Sequence, residues 1–241
     1  MKIALLGYGK MGRAIEEIAQ QKGHEIVLAI DDRNLDDLSE KNIRKADVAI
    51  EFTTPESAVN NILFCFRTGV PVVCGTTGWL SHLSDVEDQC RQSGGAFLYA
   101  SNFSIGVNVF FELNKRLARI MGKLPEYDVT IEEIHHTQKK DAPSGTAITL
   151  AEGIIEAVPG KKQWVLSTDQ AGTGGGDLRI TSRRIDPAAG THRVKYSSGV
   201  DDIEIIHTAH NRLGFAAGAV LAAEFLAGKK GLYRMKDVLN L

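Results

Sequence analysis

The feature that most constrains this chain is its first dozen residues. Residues 2–6 (KIALL) are a short apolar run, and Gly7-Tyr8-Gly9-Lys10-Met11-Gly12 follows at once. Such a run, closed by a glycine turn, predicts a buried parallel strand. Residues 11–22 then place Met11, Ile15, Ile18 and Ala19 on one helical face. A G-x-G-x-x-G alone is weak, but between a strand and a helix it predicts a dinucleotide turn. Gly7 permits the tight turn, Gly9 lets a pyrophosphate approach backbone, and Gly12 allows close helix–strand packing. Amides at the helix start then face the phosphate charge.

The alternation continues. Strands are predicted at 25–30, 47–52, 70–74 and 96–100, with helices at 55–68 and about 79–93 between them. This is the pattern of βαβ units and a parallel sheet. After residue 104 the pattern changes. A helix at 107–121 carries Val109, Phe110, Leu113, Leu117, Ile120 and Met121 at helical spacing. A long strand near 127–136 and a helix near 144–158 follow. Strands near 163–168, 178–185, 191–198 and 202–210 then come in succession, which predicts a mixed or antiparallel sheet and a second domain. Residues 215–227 (FAAGAVLAAEFLA) are apolar almost all round and predict a buried helix returning to the first domain. The expected fold is α/β: a Rossmann-type nucleotide domain of 1–105 and 215–241, with an α+β domain of 106–214 on a mixed sheet. Residues 171–177 (AGTGGGD) read as a mobile loop, since no P-loop Lys-Ser/Thr follows.

Composition narrows the function. The 241 residues carry a net charge of −2, which gives no bulk electrostatic case for nucleic acid or an anionic membrane. No apolar run approaches the roughly 20 residues of a membrane span. The start of the chain does not read as a signal peptide. Cys65, Cys74 and Cys90 are odd in number and unpaired in spacing, so a reducing cytoplasm is the simplest expectation.

Three strand ends carry candidate ligand contacts, because α/β sheets bind ligands at the carboxyl ends of their strands. Asp31-Asp32-Arg33 ends the second strand. Either aspartate could hold the ribose hydroxyls of NAD, and Arg33 could instead meet the 2′-phosphate of NADP. Thr53 and the turn Gly75-Thr76-Thr77-Gly78 end two others, where small residues let a nicotinamide lie on backbone. Cys74 is the only thiol near a strand end, and Val72-Val73 before it indicate a buried, inert group rather than a nucleophile.

The most informative segment is Glu132 to Ala147, EEIHHTQKKDAPSGTA. A strand delivers His135 and His136 into a loop with Lys139 and Lys140. The loop closes on Pro143-Ser144-Gly145-Thr146 at a helix start, with Ser144 a candidate N-cap. The amides of Gly145 and Thr146 suit a carboxylate there. A group that titrates near neutrality, a cation and an anion-binding helix end suit a small carboxylated substrate needing a proton as well as a hydride. No metal is expected: neighbouring histidines on a strand point to opposite faces, and no third ligand has zinc-like spacing.

This segment resembles the signature of 4-hydroxy-tetrahydrodipicolinate reductases. The similarity extends to GYGKMG, EFTTPE, CGTTG, ASNFSIGVN, HTAHNRLGFAAGAV and GLYRMKDVL, which together cover most of the chain in order. The resemblance implies reduction of the cyclic product of aspartate semialdehyde and pyruvate by NADH or NADPH. It implies His135 as the acid/base group and Lys139 as proton donor or charge partner. His136, Lys139, Gly145 and Thr146 would contact substrate carboxylates. Gly7, Lys10, Met11 and Gly12 would hold the pyrophosphate, and Gly75, Thr77, Ser101, Asn102 and Phe103 would line the nicotinamide side. It also implies a homotetramer built through the second domain's sheet. The chain departs from the family pattern in a short stretch from Asp31 to Asp47, and in Thr54, where members often carry Arg.

Overall fold

The strand–turn–helix at the N-terminus opens a parallel sheet. A computed structural model describes residues 1–167, 176–211 and 213–241. Two units emerge: residues 1–105 with 213–241, and residues 106–212.

In the first unit β1 (Lys2–Leu6) leads to α1 (Lys10–Gln21) and β2 (Glu25–Ile30). The crossover to β3 (Val48–Glu51) holds only a 3₁₀ turn at Leu35–Asp37 and α2 (Glu40–Ile43). Next come α3 (Pro55–Thr68), β4 (Val72–Cys74), a 3₁₀ turn at Leu80–His82, α4 (Leu83–Ser93) and β5 (Ala96–Tyr99). The single helix expected over 79–93 is therefore two pieces. Trp79 lies just before the 3₁₀ turn: its indole N–H donates to Thr76 O at 2.7 Å, and its ring is buried.

The sheet order is β2-β1-β3-β4-β5, with β11 (Gly231–Tyr233) as the sixth strand beside β5, all parallel. Alternate residues of β1 serve opposite faces. Ile3 and Leu5 join one apolar cluster, and Ala4 and Leu6 join the other. A sheet buried on both sides needs such continuous apolar strands.

In the second unit α5 (Ile105–Met121) precedes β6 (Asp128–His135), α6 (Gly145–Ile155), β7 (Gln163–Ser167), β8 (Asp177–Arg184), β9 (Gly190–Ser197) and β10 (Asp202–Ala209). The sheet order is β10-β9-β6-β8-β7. β9 is antiparallel to both β6 and β10, while β6, β8 and β7 run parallel. This is the mixed sheet expected from consecutive strands. The AGTGGGD stretch lies outside the described residues except for Gly176 and Asp177.

On α5 the buried stripe is Val107, Phe110, Asn114, Ala118 and Met121. Val109, Leu113 and Ile120, expected to share that face, are exposed. The helix carries two apolar stripes, and only one meets its own core. Periodicity alone could not choose between them.

The chain then returns to the first unit. α7 (Leu213–Leu226) packs on α1, β3, β4 and β5. β11 (Gly231–Tyr233) adds the sixth strand beside β5, and α8 (Met235–Leu239) follows. Neither β11 nor α8 was evident from pattern, because a three-residue strand has no period to detect.

Gly218 on α7 lies against the Phe103 carbonyl: a Cβ there would come within 1.8 Å of that oxygen. Gly218→Ala is therefore expected to force the helix off the 101–103 segment and cost at least about 1–3 kcal/mol, as overpacking does. Urea unfolding checks this; a change below about 0.5 kcal/mol, the scatter of neutral surface changes, would show that the approach is not tight.

Candidate active site

The order β2-β1-β3 makes a topological switch point. The chain passes from β1 to β2 on one side and then crosses back to β3 on the other side of β1, so a crevice opens at their carboxyl ends. A cleft of about 700 Å³ lies there, lined by Gly7, Tyr8, Gly9, Lys10, Arg13, Asp31, Asp32, Arg33, Thr53 and Thr54 among others. The turn is as tight as the motif requires. Gly7 has φ +99°, and a Cβ on it would reach within 2.0 Å of Phe52 O. A Cβ on Gly12 would meet Gly7 O at 2.3 Å. At Gly9 a Cβ would meet nothing within 4 Å. Backbone at Gly9 thus faces open space at the start of α1, which fits a dinucleotide pyrophosphate.

At the end of β2 Arg33 folds back on Asp31, with guanidinium and carboxylate 2.5 Å apart. Its hydrogen bonds hold the Asp31 carboxyl below the usual range. Asp32 is exposed nearby.

A second hollow is lined by Met11, Phe52, Thr53, Pro55, Gly75, Thr76 and Thr77. Beneath it lies Glu51, fully buried and not anticipated. It accepts from Thr53 N at 3.0 Å, from the Thr53 hydroxyl, and from the Cys74 thiol at 3.0 Å. Burial and this carboxylate push the Cys74 thiol far up, so it is no nucleophile. Of the remaining cofactor candidates, Ser101 is exposed and Asn102 accepts from Ser104 N at 2.9 Å. Phe103 is a core residue, its ring 5.6 Å from that of Phe52.

The second unit builds its site from strand register. β6 alternates, so Val129, Ile131, Glu133 and His135 share its buried face. Ile131 sits between Val194 and Ile180, and Glu133 between His192 and Ser182. His135 pairs with Arg184. On its other side the His135 ring packs over Gly190, where a Cβ would lie 3.1 Å from Nε2. One sheet face thus passes from apolar core to a polar row and then to the candidate acid. The i, i+2 spacing of Glu133 and His135 was visible in the sequence; the arrival of Ser182, Arg184 and His192 was not.

The loop after β6 brings the other candidates together. Lys139 Nζ lies 2.7 Å from both oxygens of Asp141. Thr137 N and its hydroxyl donate to Asp186 at 3.1 and 2.6 Å. Arg184 donates to the carbonyls of Lys139 and Asp141 at 3.3 and 2.6 Å. Ser144 caps α6 as expected, its hydroxyl accepting from Ala147 N at 3.2 Å. Gly145 is exposed at the helix start, and Thr146 and His136 are half-buried.

Burial pushes the Glu133 carboxyl up, but the nearby His135 imidazole and the hydrogen bonds from Ser144 and Ser182 outweigh it and hold the group ionised. Burial and the charge of His135 push His192 down to about 4, so it is neutral near pH 7. Glu133, His135 and His192 form a cluster with metal-like spacing. Glu133, however, already accepts from Ser144 N–H, Ser182 and Arg184. A second cation would have to displace those donors beside a fixed guanidinium.

Comparison with known proteins identifies the family. Residues 1–103 match the family model "Dihydrodipicolinate reductase, N-terminus", and residues 106–239 match "Dihydrodipicolinate reductase, C-terminus". The 4-hydroxy-tetrahydrodipicolinate reductase of Christiangramia forsetii is 52% identical over 242 residues, covering 100% of this chain and 98% of the relative. That of Methanosarcina barkeri is 39% identical, covering 99% and 89%. Among solved structures, the dipicolinate-bound dihydrodipicolinate reductase from Paenisporosarcina sp. TG-14 is similar with a TM-score of 0.79 and 25% identity, covering 97% of each chain. An amine dehydrogenase from Mycobacterium smegmatis shares the fold, with a TM-score of 0.60 at 10% identity, covering 97% and 94%. The chain belongs to the 4-hydroxy-tetrahydrodipicolinate (dihydrodipicolinate) reductase family of nicotinamide-dependent oxidoreductases.

Proposed function

We infer that the chain reduces 4-hydroxy-tetrahydrodipicolinate to tetrahydrodipicolinate in lysine and diaminopimelate biosynthesis, and that the His135–Lys139 segment supplies the proton. The observation that carries this reading is the second unit's polar end. An imidazole, an ammonium and an exposed helix N-terminus are assembled there on one strand and its following loop. The dipicolinate held by the Paenisporosarcina relative supports a cyclic dicarboxylate as the ligand class.

A bound nicotinamide supplies the hydride. Gly7, Gly9, Lys10, Met11 and Gly12 hold its pyrophosphate, Asp31 and Asp32 its ribose. Thr53, Gly75, Thr77, Ser101, Asn102 and Phe103 border the ring, Phe103 through its backbone. Gly145 and Thr146 amides take one substrate carboxylate at the positive end of α6. His136 and Lys139 take the other, and that carboxylate replaces Asp141 at Nζ. Hydride addition leaves electron density on the conjugated imine system. Lys139 stabilises it, and His135 delivers the proton. Water lost from the 4-hydroxy substrate and one proton consumed balance the reaction.

The buried thiols Cys65, Cys74 and Cys90 suit a reducing cytoplasm. No helix among the described residues is long and apolar enough to cross a membrane. A homotetramer through the mixed sheet is supported by exposed Leu166, Ile203 and Ile206 on its two outer strands. Light scattering should then give four times the 26.2 kDa chain mass; a monomer would remove this assembly.

His135→Ala and Lys139→Ala should each lower kcat by about 10²-fold or more, the usual loss for a general acid. Loss of Lys139 should also raise KM, and NADH affinity should hold in both. Near-normal kcat in both folded variants would overturn the loop's role. NADH should serve at least as well as NADPH, because a 2′-phosphate meets Asp31 and Asp32. Arg33, already paired with Asp31, offsets part of that repulsion. An NADPH preference of tenfold or more in kcat/KM, about 1.4 kcal/mol, would overturn this.

A further inference from the structure

The mechanism above makes no use of the most buried charge in the second unit. Glu133 has no solvent exposure. An ion in such a place costs several kcal/mol unless its oxygens are satisfied. Its oxygens are met by groups from three elements: the start of α6, β6 and β8. Oε2 accepts from Ser144 N–H at 3.0 Å and faces His135 Nδ1 at 3.4 Å, within ion-pair range though not aligned as a hydrogen bond. Oε1 accepts from the Ser182 hydroxyl at 2.8 Å and from Arg184 at 3.2 Å. Arg184 in turn grips the backbone of Lys139 and Asp141. His192 closes the set, its Nε2 3.0 Å from the Ser144 hydroxyl that caps α6.

We propose that Glu133 is a positioning residue for the reduction, which together with His192 holds the His135 imidazole, the first turn of α6 and the Lys139 loop in one frame. The proposal rests on the reading of His135 and α6 given above. Glu133 touches neither substrate nor cofactor in this role. Its charge faces Nδ1 of His135 and so leaves Nε2 as the nitrogen that exchanges a proton, the usual effect of a carboxylate behind an imidazole. Its bond to Ser144 N–H fixes where α6 begins, and so where the amides of Gly145 and Thr146 point. Its ion pair with Arg184 fixes the loop from which Lys139 projects. His192 stands edge-on to His135, ring centroids 5.1 Å apart at 73°. Being neutral, it adds a hydrogen bond and a packing surface without competing as an acid.

Glu133→Gln keeps the size of the side chain and removes its charge. It should lower kcat about 10-fold or more and raise KM for the dicarboxylate by a similar factor, as loss of a buried orienting partner does. The dissociation constant for NADH should stay within about twofold, since the dinucleotide turn belongs to the other unit. A packing role alone would lower the melting temperature and leave kcat and KM of the folded enzyme unchanged. His192→Phe keeps the ring and removes the bond to Ser144. It should raise KM with a smaller effect on kcat, and it decides the matter if Glu133→Gln does not fold. Wild-type kcat and KM in folded Glu133→Gln would overturn the proposal; so would wild-type KM in His192→Phe. His135→Ala is assayed alongside. Full activity in that variant defeats the reading of the site itself, whereas an impaired His135→Ala beside an unimpaired Glu133→Gln defeats only the positioning role.

Discussion

A buried carboxylate at the end of a central strand can persist only if neighbouring strands bring it donors, and that requirement shapes both units. In the second unit the strand is β6. Its buried face begins with Val129 and Ile131, whose cross-strand neighbours are apolar, and then turns to Glu133 and His135. Because side chains alternate with period two, a one-residue slip of β8 or β9 would turn Ser182 and His192 to the other face and strand the charge. Core packing and the polar row therefore enforce the same register. The strand that builds the core also aims the acid.

The first unit repeats the arrangement with different donors. Glu51 closes β3 without solvent exposure, and Thr53 and Cys74 supply its bonds. Thr53 N also donates to the Thr76 hydroxyl at 2.8 Å, which ties the turn after β3 to the turn after β4. Phe52 then fills the space that a side chain on Gly75 would need: a Cβ there would lie 2.1 Å from the Phe52 ring. The hollow bordered by Thr53, Gly75 and Thr77 is thus stiffened from below. Small residues leave its surface open, and the buried Glu51 side chain holds its floor.

What the sequence disclosed follows from where the physics is local. The turn from Gly7 to Gly12 is local, since Gly7 answers to the adjacent strand and Gly12 to backbone a few residues away. The N-cap at Ser144 is local too, and the all-round apolar character of α7 is a property of that segment alone. Glu133 and His135 share a strand face by spacing. Their partners do not: His192 and Arg184 reach them only through β9 and β8, about 50 residues on, and nothing in THRVKY or SRR separates them from surface polar residues. The second apolar stripe of α5 and the short β11 were illegible for a related reason. Their roles depend on what lies across from them.

The two charges proposed above to meet ligands share one more device. Asp31 is paired with Arg33 and Lys139 with Asp141, each two residues away along the chain. In both pairs one partner is well exposed, and exposed pairs of this kind contribute little to stability. They are therefore easily exchanged. In the proposed sites, a carboxylate arriving at Lys139 would trade one weak ion pair for another, and a diol arriving at Asp31 would trade the pair with Arg33 for hydrogen bonds, in each case releasing an exposed partner to water. The buried carboxylates are the opposite case. Glu51 and Glu133 are bound from several sides, so a ligand that disturbs the outer pairs leaves them in place. Rigid buried carboxyl groups beneath and exchangeable ion pairs above would let the proposed sites take up an ionic ligand without rebuilding their floors.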